Sequence, residues 1–257
     1  MHIAVQRVEN REIETMRDLF RQEANCQIIH DKMVGRGLAD PYLILVEGRR
    51  VGYGAVMNRY DKGRVIEFYT VPGLRSSAPA LFRELLKVSE ATQIEAQTNM
   101  PLMLTMLYDC ASNIVEESIL FHDVATTSLP CLNVLFRHST PEDSSAIFEH
   151  HDEPVGDWVV EQKGTIVATG GFLCHYNPPY GDIYMEVVET ARQQGIGSYL
   201  VQELKRVCYE AGKKPSARCN PTNTASRKTL QKAGFLPCGR LLAGAIFREE
   251  GRGKREE

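Results

Sequence analysis

The chain has 257 residues and a mass of 28.9 kDa, enough for one large domain or two ordinary ones. Its composition is balanced, with 43% hydrophobic residues, 25% charged residues and a formal net charge of −3. Because nucleic-acid-binding proteins carry a basic stripe or domain, we expect no nucleic-acid partner. The first residues run straight into charges and no stretch approaches about 18 apolar residues, so we predict neither a signal peptide nor a membrane span. Seven cysteines without a closely spaced pair favour a reducing cytoplasm.

The first half of the chain predicts an amphipathic helix, a meander of three strands, and then alternating helices and strands. The helix covers residues 10 to 24, with Asn10 as its candidate N-cap. The later elements are strands at 42–46, 51–60 and 64–71, a helix at 79–91, a strand at 94–98, a helix at 101–110 and a strand at 114–121.

The second half repeats this order. It predicts a strand at 134–137, a helix opened by Thr140-Pro-Glu-Asp143, and strands at 157–162, 165–174 and 182–188. A helix, a short strand at about 216–220, another helix and a final strand follow. We therefore predict two copies of one plan, with domains at 1–128 and 129–247 and a charged, disordered tail at 248–257.

A glycine turn follows the strand at 182–188 and opens a helix that Gly212 ends. The turn reads Arg192-Gln-Gln-Gly-Ile-Gly197, and its two glycines free backbone N–H groups at a helix N-terminus, as a phosphate cradle requires. A Walker loop is excluded because no Gly-Lys-Ser/Thr follows, and a dinucleotide fingerprint is excluded because Leu200 stands where a small residue is needed. A simple strand-to-helix turn stays open on this motif alone.

A second motif follows the short strand at about 216–220. It reads Asn223-x-Ala-Ser-x-x-x-Leu-x-Lys-x-Gly-Phe235, with Asn223 as a natural helix N-cap and Gly234 as the stop. In combination with the glycine turn, it resembles the GNAT superfamily of acyl-CoA-dependent N-acyltransferases, over about residues 131 to 245. The resemblance implies an α/β (α+β) fold of two tandem domains, each with a mixed, mostly antiparallel sheet flanked by helices.

The resemblance also implies the activity and the cofactor contacts. The expected reaction transfers an acetyl group from acetyl-CoA to a primary amine of a small molecule or peptide, by direct attack on the thioester. A backbone N–H near Val187 is expected to polarise the thioester carbonyl. The expected cofactor contacts are Val187, Val188, Arg192, Gln193, Gln194, Gly195, Ile196, Gly197, Ser198, Asn223 and Ser226.

The attacking amine must lose a proton, and Glu186 is our predicted base. We treat it as the ionisable residue inside an otherwise apolar strand, where desolvation is expected to raise its pKa. His175 and Tyr176 are the next candidates. No metal site is predicted, because the adjacent residues at 150–152 cannot converge easily on one ion and are expected to form a solvated loop.

Two departures from the family pattern affect the prediction. Leu230 stands where many of these enzymes carry a tyrosine acid, so the thiol proton could come from water, Ser226 or Cys219. In the first copy, aligning Val71 with Val187 sets Pro79 opposite Gly195, which removes a donor from the cradle. We therefore expect a degenerate first domain. A non-catalytic acyl-CoA-binding or interaction module stays as the alternative, and the chain could be a monomer or a homodimer.

Overall fold

The computed structural model describes residues 1–24, 30–174 and 178–247. Contacts between residues divide the chain into two compact units. The first contains Met1–Glu117 and the residues from Arg240 onward, and the second contains Ser118–Gly239. Within the described residues, no helix is both long enough and apolar enough to cross a membrane.

The first unit is a sheet covered by helices on both faces. Its elements are β1 (Ile3–Arg7), α1 (Glu14–Glu23), α2 (Asp31–Gly35), β2 (Ala39–Val46), β3 (Arg49–Met57), β4 (Arg64–Thr70), α3 (Ala78–Ser89), β5 (Gln93–Gln97), α4 (Pro101–Cys110) and the start of β6 (Ala111–Asp123). Strands β1 to β4 pair antiparallel in sequence, and β4 pairs parallel with β5. One core lies under α3 and α4, and a second lies under α1 and α2.

The predicted helix at 10–24 is shorter than expected. A 3-10 turn at Asn10–Glu12 precedes α1, which begins at Glu14. Asn10 is not its cap, because the Asn10 side-chain amide donates a hydrogen bond to the Val34 carbonyl at 2.7 Å. The predicted cap was therefore wrong, and this side chain ties the 3-10 turn to α2 instead.

The second unit is also a mixed sheet with helices. Its elements are the end of β6, then β7 (Val134–His138), β8 (Trp158–Gln162), β9 (Thr165–Leu173), β10 (Tyr180–Val187), α5 (Ile196–Glu210), β11 (Lys214–Cys219), α6 (Thr224–Lys232) and the start of β12 (Phe235–Ile246). Its strand order is β7-β8-β9-β10-β11-β6, and among the described residues of this unit only the β10–β11 pair is parallel. The helix expected to open at Thr140 is a single 3-10 turn at Pro141–Ser145.

Strands β6 and β12 each serve both units. The end of β6 pairs with β11 in the second unit through Ile119–His122, and the end of β12 pairs with β5 in the first unit through Leu241–Ala245. Each unit is thus completed by a strand segment that the chain carries over from the other half. The predicted domain boundary at residue 128 stays a prediction. The observed units depart from it because residues 118–128 belong to the second unit and residues 240–247 belong to the first.

Helix α5 forms the centre of the second core. Its apolar face is buried there, with Ile196, Leu200, Leu204 and Cys208 at most 1% exposed. Gly212 follows the end of the helix at a φ of +69°, a conformation that suits glycine, so the predicted stop is confirmed. This packing fixes the N-terminus of α5 against β10.

Candidate functional site

The parallel strands β10 and β11 diverge part-way along their length. Their register runs from Tyr180 opposite Lys214 to Ile183 opposite Ala217 and ends there. Further along β10, the Val188 N–H donates to the Val167 carbonyl on the β9 side at 2.9 Å. Because backbone groups alternate in direction along a strand, the N–H groups of Met185 and Val187 point toward the opposite edge, where β11 has turned away. This edge can pair with an extended ligand.

The glycine turn forms a cradle at the N-terminus of α5. Gln193 and Gly195 both have positive φ, +64° and +85°, and the helix begins at Ile196. This conformation turns successive N–H groups outward, and the first N–H groups of any helix lack intrahelical partners. The helix dipole adds partial positive charge at the same point, so the turn is built to hold an anion.

Gly197 keeps the cradle close to its neighbours. A Cβ at this position would lie 3.3 Å from the Thr229 Cγ2 atom and 3.4 Å from the Met185 Cε atom. The absence of a side chain therefore lets α5 approach both β10 and α6. Beside it, the Arg192 Nε atom donates to the Val187 carbonyl at 3.0 Å and ties the turn to the strand end.

A cavity of about 770 Å³ lies between the cradle, β10 and α6. We call it the larger cavity. Its lining includes nine residues that the sequence predicted, namely Glu186, Val187, Arg192, Gln193, Gly195, Gly197, Ser198, Asn223 and Ser226. The other three predicted residues lie outside this lining: Val188 packs on the core, Ile196 is buried within it, and Gln194 is exposed.

Helix α6 supplies one wall of the larger cavity. Asn223 is its N-cap and accepts a hydrogen bond from the Ser226 N–H at 2.9 Å, which confirms the predicted cap. Lys228 and Lys232 also line the cavity and were not singled out from the sequence. Their spacing of four residues, which places both ammonium groups on one helix face, was the available signal. They add positive charge opposite the cradle.

The Glu186 carboxylate is buried and held by the backbone of a loop. It accepts hydrogen bonds from the N–H groups of His151, Asp152 and Glu153 at 3.1 to 3.3 Å. Burial alone would raise the pKa of Glu186, but these three donors and the nearby His150 lower it overall. The predicted upward shift was therefore wrong. The catalytic role of Glu186 stays a prediction. Its contacts show that the carboxylate holds the backbone of the loop at residues 151–153 in place.

The loop at 150–153 is less solvated than expected. The His150 side chain is 7% exposed, its ring stacks on Phe148 with centroids 4.7 Å apart, and its Nε2 atom lies 3.1 Å from the Thr169 hydroxyl. The expectation of a solvated loop was thus wrong for His150, although His151 and Asp152 are exposed. Among the described residues, no three side chains converge as metal ligands.

A smaller cavity of about 190 Å³ lies next to Asp182. Since β10 begins at Tyr180, Asp182 lies inside the strand rather than at its start, so Glu186 is not the only carboxylate within it. The Arg218 Nε atom donates to Asp182 Oδ2 at 3.1 Å. Burial raises the pKa of Asp182 to about 6, although Arg218 opposes the rise. Sequence reasoning missed this residue.

The corresponding turn of the first unit has a different conformation. Residues Pro72–Ser77 form a 3-10 helix that runs into α3, and the described residues 72 to 78 include no positive φ. Val71 and Val188 share nearly the same dihedral angles before their turns, so the alignment of Val71 with Val187 was off by one residue. This turn therefore lacks the two positive-φ residues that form the cradle of the second unit.

The structure describes Leu230, the position at which the family acid was expected, but it does not describe the two alternative bases. Leu230 is 4% exposed, belongs to the core of the second unit and is not part of the lining of the larger cavity. His175, Tyr176 and the tail at 248–257 lie outside the described residues.

Comparisons with known proteins agree with this geometry. Residues 121–235 match the model of the acetyltransferase (GNAT) family. A Bacillus subtilis protein named as a candidate phosphinothricin acetyltransferase, YwnH, is 31% identical over 106 residues, which are 39% of this chain and 65% of that protein's length.

Solved structures extend the likeness to both units. A GNAT-family acetyltransferase from Colwellia psychrerythraea has a TM-score of 0.74 at 16% identity and covers 95% of this chain and 100% of its own. A tandem GNAT protein from the clavulanic acid biosynthesis pathway has a TM-score of 0.61 at 14% identity, with coverage of 97% and 100%. Residues 121–235 therefore match the acetyltransferase (GNAT) family, and the α+β fold of the chain resembles that of tandem GNAT proteins.

Proposed function

We propose that the second unit is an N-acetyltransferase that uses acetyl-CoA as its donor and a primary amine as its acceptor. The observation that carries the proposal is the larger cavity, which joins an anion cradle to the open edge of a strand. A nucleotide thioester needs both features, because its pyrophosphate is an anion and its pantetheine arm carries amides that pair like a strand.

The residues present fit this donor at three points. The N–H groups of residues 193–198 would hold the pyrophosphate, and Lys228 and Lys232 would attract the phosphate charges. The open edge at Met185 and Val187 would pair with the pantetheine amides and direct an N–H to the thioester carbonyl. The donor supplies an activated acyl group, and the chain's own residues orient it and stabilise charge on the carbonyl oxygen.

Binding of acetyl-CoA is the first test. Calorimetric titration should find one site per chain in the wild type and none in Gly197→Glu, because a carboxylate at this position fills and charges the cradle. Gly73→Glu is the matched control, since Gly73 is exposed in the turn of the first unit and a Cβ there meets nothing within 4 Å. If neither unit binds acetyl-CoA, the proposed donor is refuted. If a second acetyl-CoA site is found and is lost in Gly73→Glu, the prediction of a degenerate first domain is refuted.

Turnover separates the enzyme from the alternative. Release of coenzyme A thiol should follow when acetyl-CoA is mixed with a panel of primary amines, in which phosphinothricin is included because of the name of the Bacillus relative. Binding of acetyl-CoA without thiol release from any amine would support the non-catalytic module. The buried Leu230, which offers no acid to the departing thiolate, is the observation that keeps this second function open.

A further inference from the structure

We propose that the smaller cavity of the second unit is the acceptor subsite, that it takes the head of a compact primary ammonium compound, and that Asp182 accepts the proton. The acetyl-transfer part rests on the proposed function. The binding of an ammonium group does not, and it can be tested alone.

The first observation is an incompletely paired carboxylate. Asp182 is 4% exposed, and its Oδ2 atom accepts the Arg218 hydrogen bond. Its Oδ1 atom is fully buried, yet it has no hydrogen-bond partner among the residues that the structure describes. Because an unsatisfied buried oxygen is costly, such an atom beside a cavity indicates a place for a donor from a ligand.

The second observation is the position of the cavity. Strand β10 lines both cavities, the larger one with Met185–Val187 and the smaller one with Asp182 and Ile183. Glu153 lines both as well, so this residue borders both spaces. An acceptor in the smaller cavity therefore approaches the donor along the same strand whose backbone is expected to hold the thioester.

The charges around the cavity select a cation. Among the residues that the structure describes, the charged groups facing Asp182 are Arg218 from β11 and Glu153 from the loop, with Glu186 farther along β10. Two carboxylates against one guanidinium leave an excess of negative charge. Partial burial of the Glu153 carboxyl and the charge of Asp182 raise the pKa of Glu153, although the residue as a whole stays exposed at the rim. A cation relieves this repulsion.

The size and the remaining lining narrow the class of acceptor. A volume of about 190 Å³ admits a head group and a short chain, and Ser118 and Asn220 supply neutral polar contacts. An ammonium group has three N–H donors, one of which meets the free Oδ1 atom of Asp182. We therefore assign the acceptor to short primary amines, free or at the end of a longer molecule that extends out of the cavity.

Asp182 is better suited than Glu186 to take the proton. The Glu186 carboxylate already accepts three backbone N–H bonds, which stabilise its charged form and weaken it as a base. Asp182 has one bonded and one unbonded oxygen, and its raised pKa brings it closer to neutral pH.

Asp182 takes one proton from the bound R–NH₃⁺ group and the neutral amine attacks the thioester carbonyl carbon. A C–N bond forms and the C–S bond breaks, with its electron pair leaving on sulphur. The second proton lost by nitrogen ends on the thiolate, and Asp182 releases its proton to water. The products are the N-acetyl amide, coenzyme A thiol and one proton.

Amine binding tests the subsite without any turnover. n-Butylamine hydrochloride is titrated calorimetrically into the wild-type chain at about pH 7.5, with n-butanol as the neutral probe. We expect the ammonium probe to bind at least about tenfold more tightly than the alcohol, and Asp182→Asn to abolish this preference. Glu149→Gln, which removes an exposed carboxylate outside both linings, should keep it. Equal binding of the two probes overturns the subsite.

The pH dependence of turnover tests the proton acceptor. For the best amine of the panel, kcat/KM should fall below about pH 6 in the wild type, and Asp182→Asn should lose about 100-fold or more. Arg218→Gln removes the charge that lowers the pKa of Asp182, so the fall in rate should move to higher pH while acetyl-CoA still binds. An unchanged profile in Arg218→Gln, or a pH profile in Asp182→Asn that still falls below about pH 6, overturns this role.

The two proposals fail in different ways. If acetyl-CoA does not bind, the proposed function fails, and the butylammonium titration still decides the subsite. If acetyl-CoA binds and thiol is released at an equal rate in Asp182→Asn, the proposed function stands and the acceptor subsite is wrong.

Discussion

Asp182→Asn should stabilise the second unit at neutral and alkaline pH, although it removes the proposed proton acceptor. Burial raises the pKa of this carboxyl from an ordinary value of 3.8 to about 6. The folded state therefore holds the proton more tightly than the unfolded chain does. By linkage, the resulting stability is complete below about 3.8 and is lost as the pH rises through about 6. The wild-type chain thus loses stability over this range, and the asparagine variant does not.

The size of the effect follows from the two pKa values. At about pH 8, the difference between 3.8 and about 6 corresponds to roughly 3 kcal/mol of stability lost by the wild type. The variant also gives up the ion pair with Arg218. The Arg218 side chain is 38% exposed, against 5% for the Asp182 side chain, so the loss of this ion pair costs little. We expect a net gain of about 1 to 2 kcal/mol in the free energy of unfolding.

Tryptophan fluorescence can follow this unit separately. Trp158 is the single tryptophan of the chain and lies in β8 of the second unit, stacked on Phe136. Urea unfolding at about pH 4, 6 and 8 should show a gain for Asp182→Asn that grows with pH, and no trend for the exposed control Glu149→Gln. A gain that is the same at all three pH values, or a loss at pH 8, would refute the reasoning.

Two further predictions concern the scaffold of the site. Asn223→Ala should cost about 1 kcal/mol in urea unfolding, because the Ser226 N–H loses its acceptor, and it should weaken acetyl-CoA binding in calorimetry; unchanged stability would contradict the cap. Lys205→Met should cost about 3 to 5 kcal/mol, because it leaves Asp123 charged and buried. The Lys205 Nζ atom lies 2.6 Å from Asp123 Oδ1 as an ion pair without hydrogen-bond geometry, and it donates to the Ala125 carbonyl at 2.7 Å. The double variant Lys205→Met with Asp123→Asn should recover part of the lost stability. If it does not, the buried charge of Asp123 is not the cause of the loss.

The sequence predicted the parts of the site that are local in the chain. The glycine stop of α5 and the Asn223 cap depend on residues within a few positions of each other, and both were confirmed. Helix α4 even begins and ends at the predicted residues, Pro101 and Cys110. Such features follow from helical spacing and from the needs of the first and last turns, which hold in any tertiary context.

Features that depend on distant segments could not be predicted. The loop that binds Glu186 lies 33 to 35 residues earlier in the chain, and nothing in its sequence indicates that three of its N–H groups converge on one carboxylate. The exchange of β6 and β12 between the units is equally hidden, because each strand reads as one continuous element. Position alone could have indicated Asp182, since it shares a strand face with Glu186 at even spacing.

The opposite shifts of Asp182 and Glu186 show why burial alone does not identify a base. Both carboxylates lie on β10 and are 4% and 6% exposed, so desolvation raises both pKa values. At Glu186, three backbone N–H donors outweigh that effect and the pKa falls. At Asp182, one guanidinium opposes it, one oxygen stays without a donor, and the pKa rises. Two acids on one strand whose pKa values are driven apart are suited to different tasks, so we infer that Glu186 anchors the loop and Asp182 exchanges the proton.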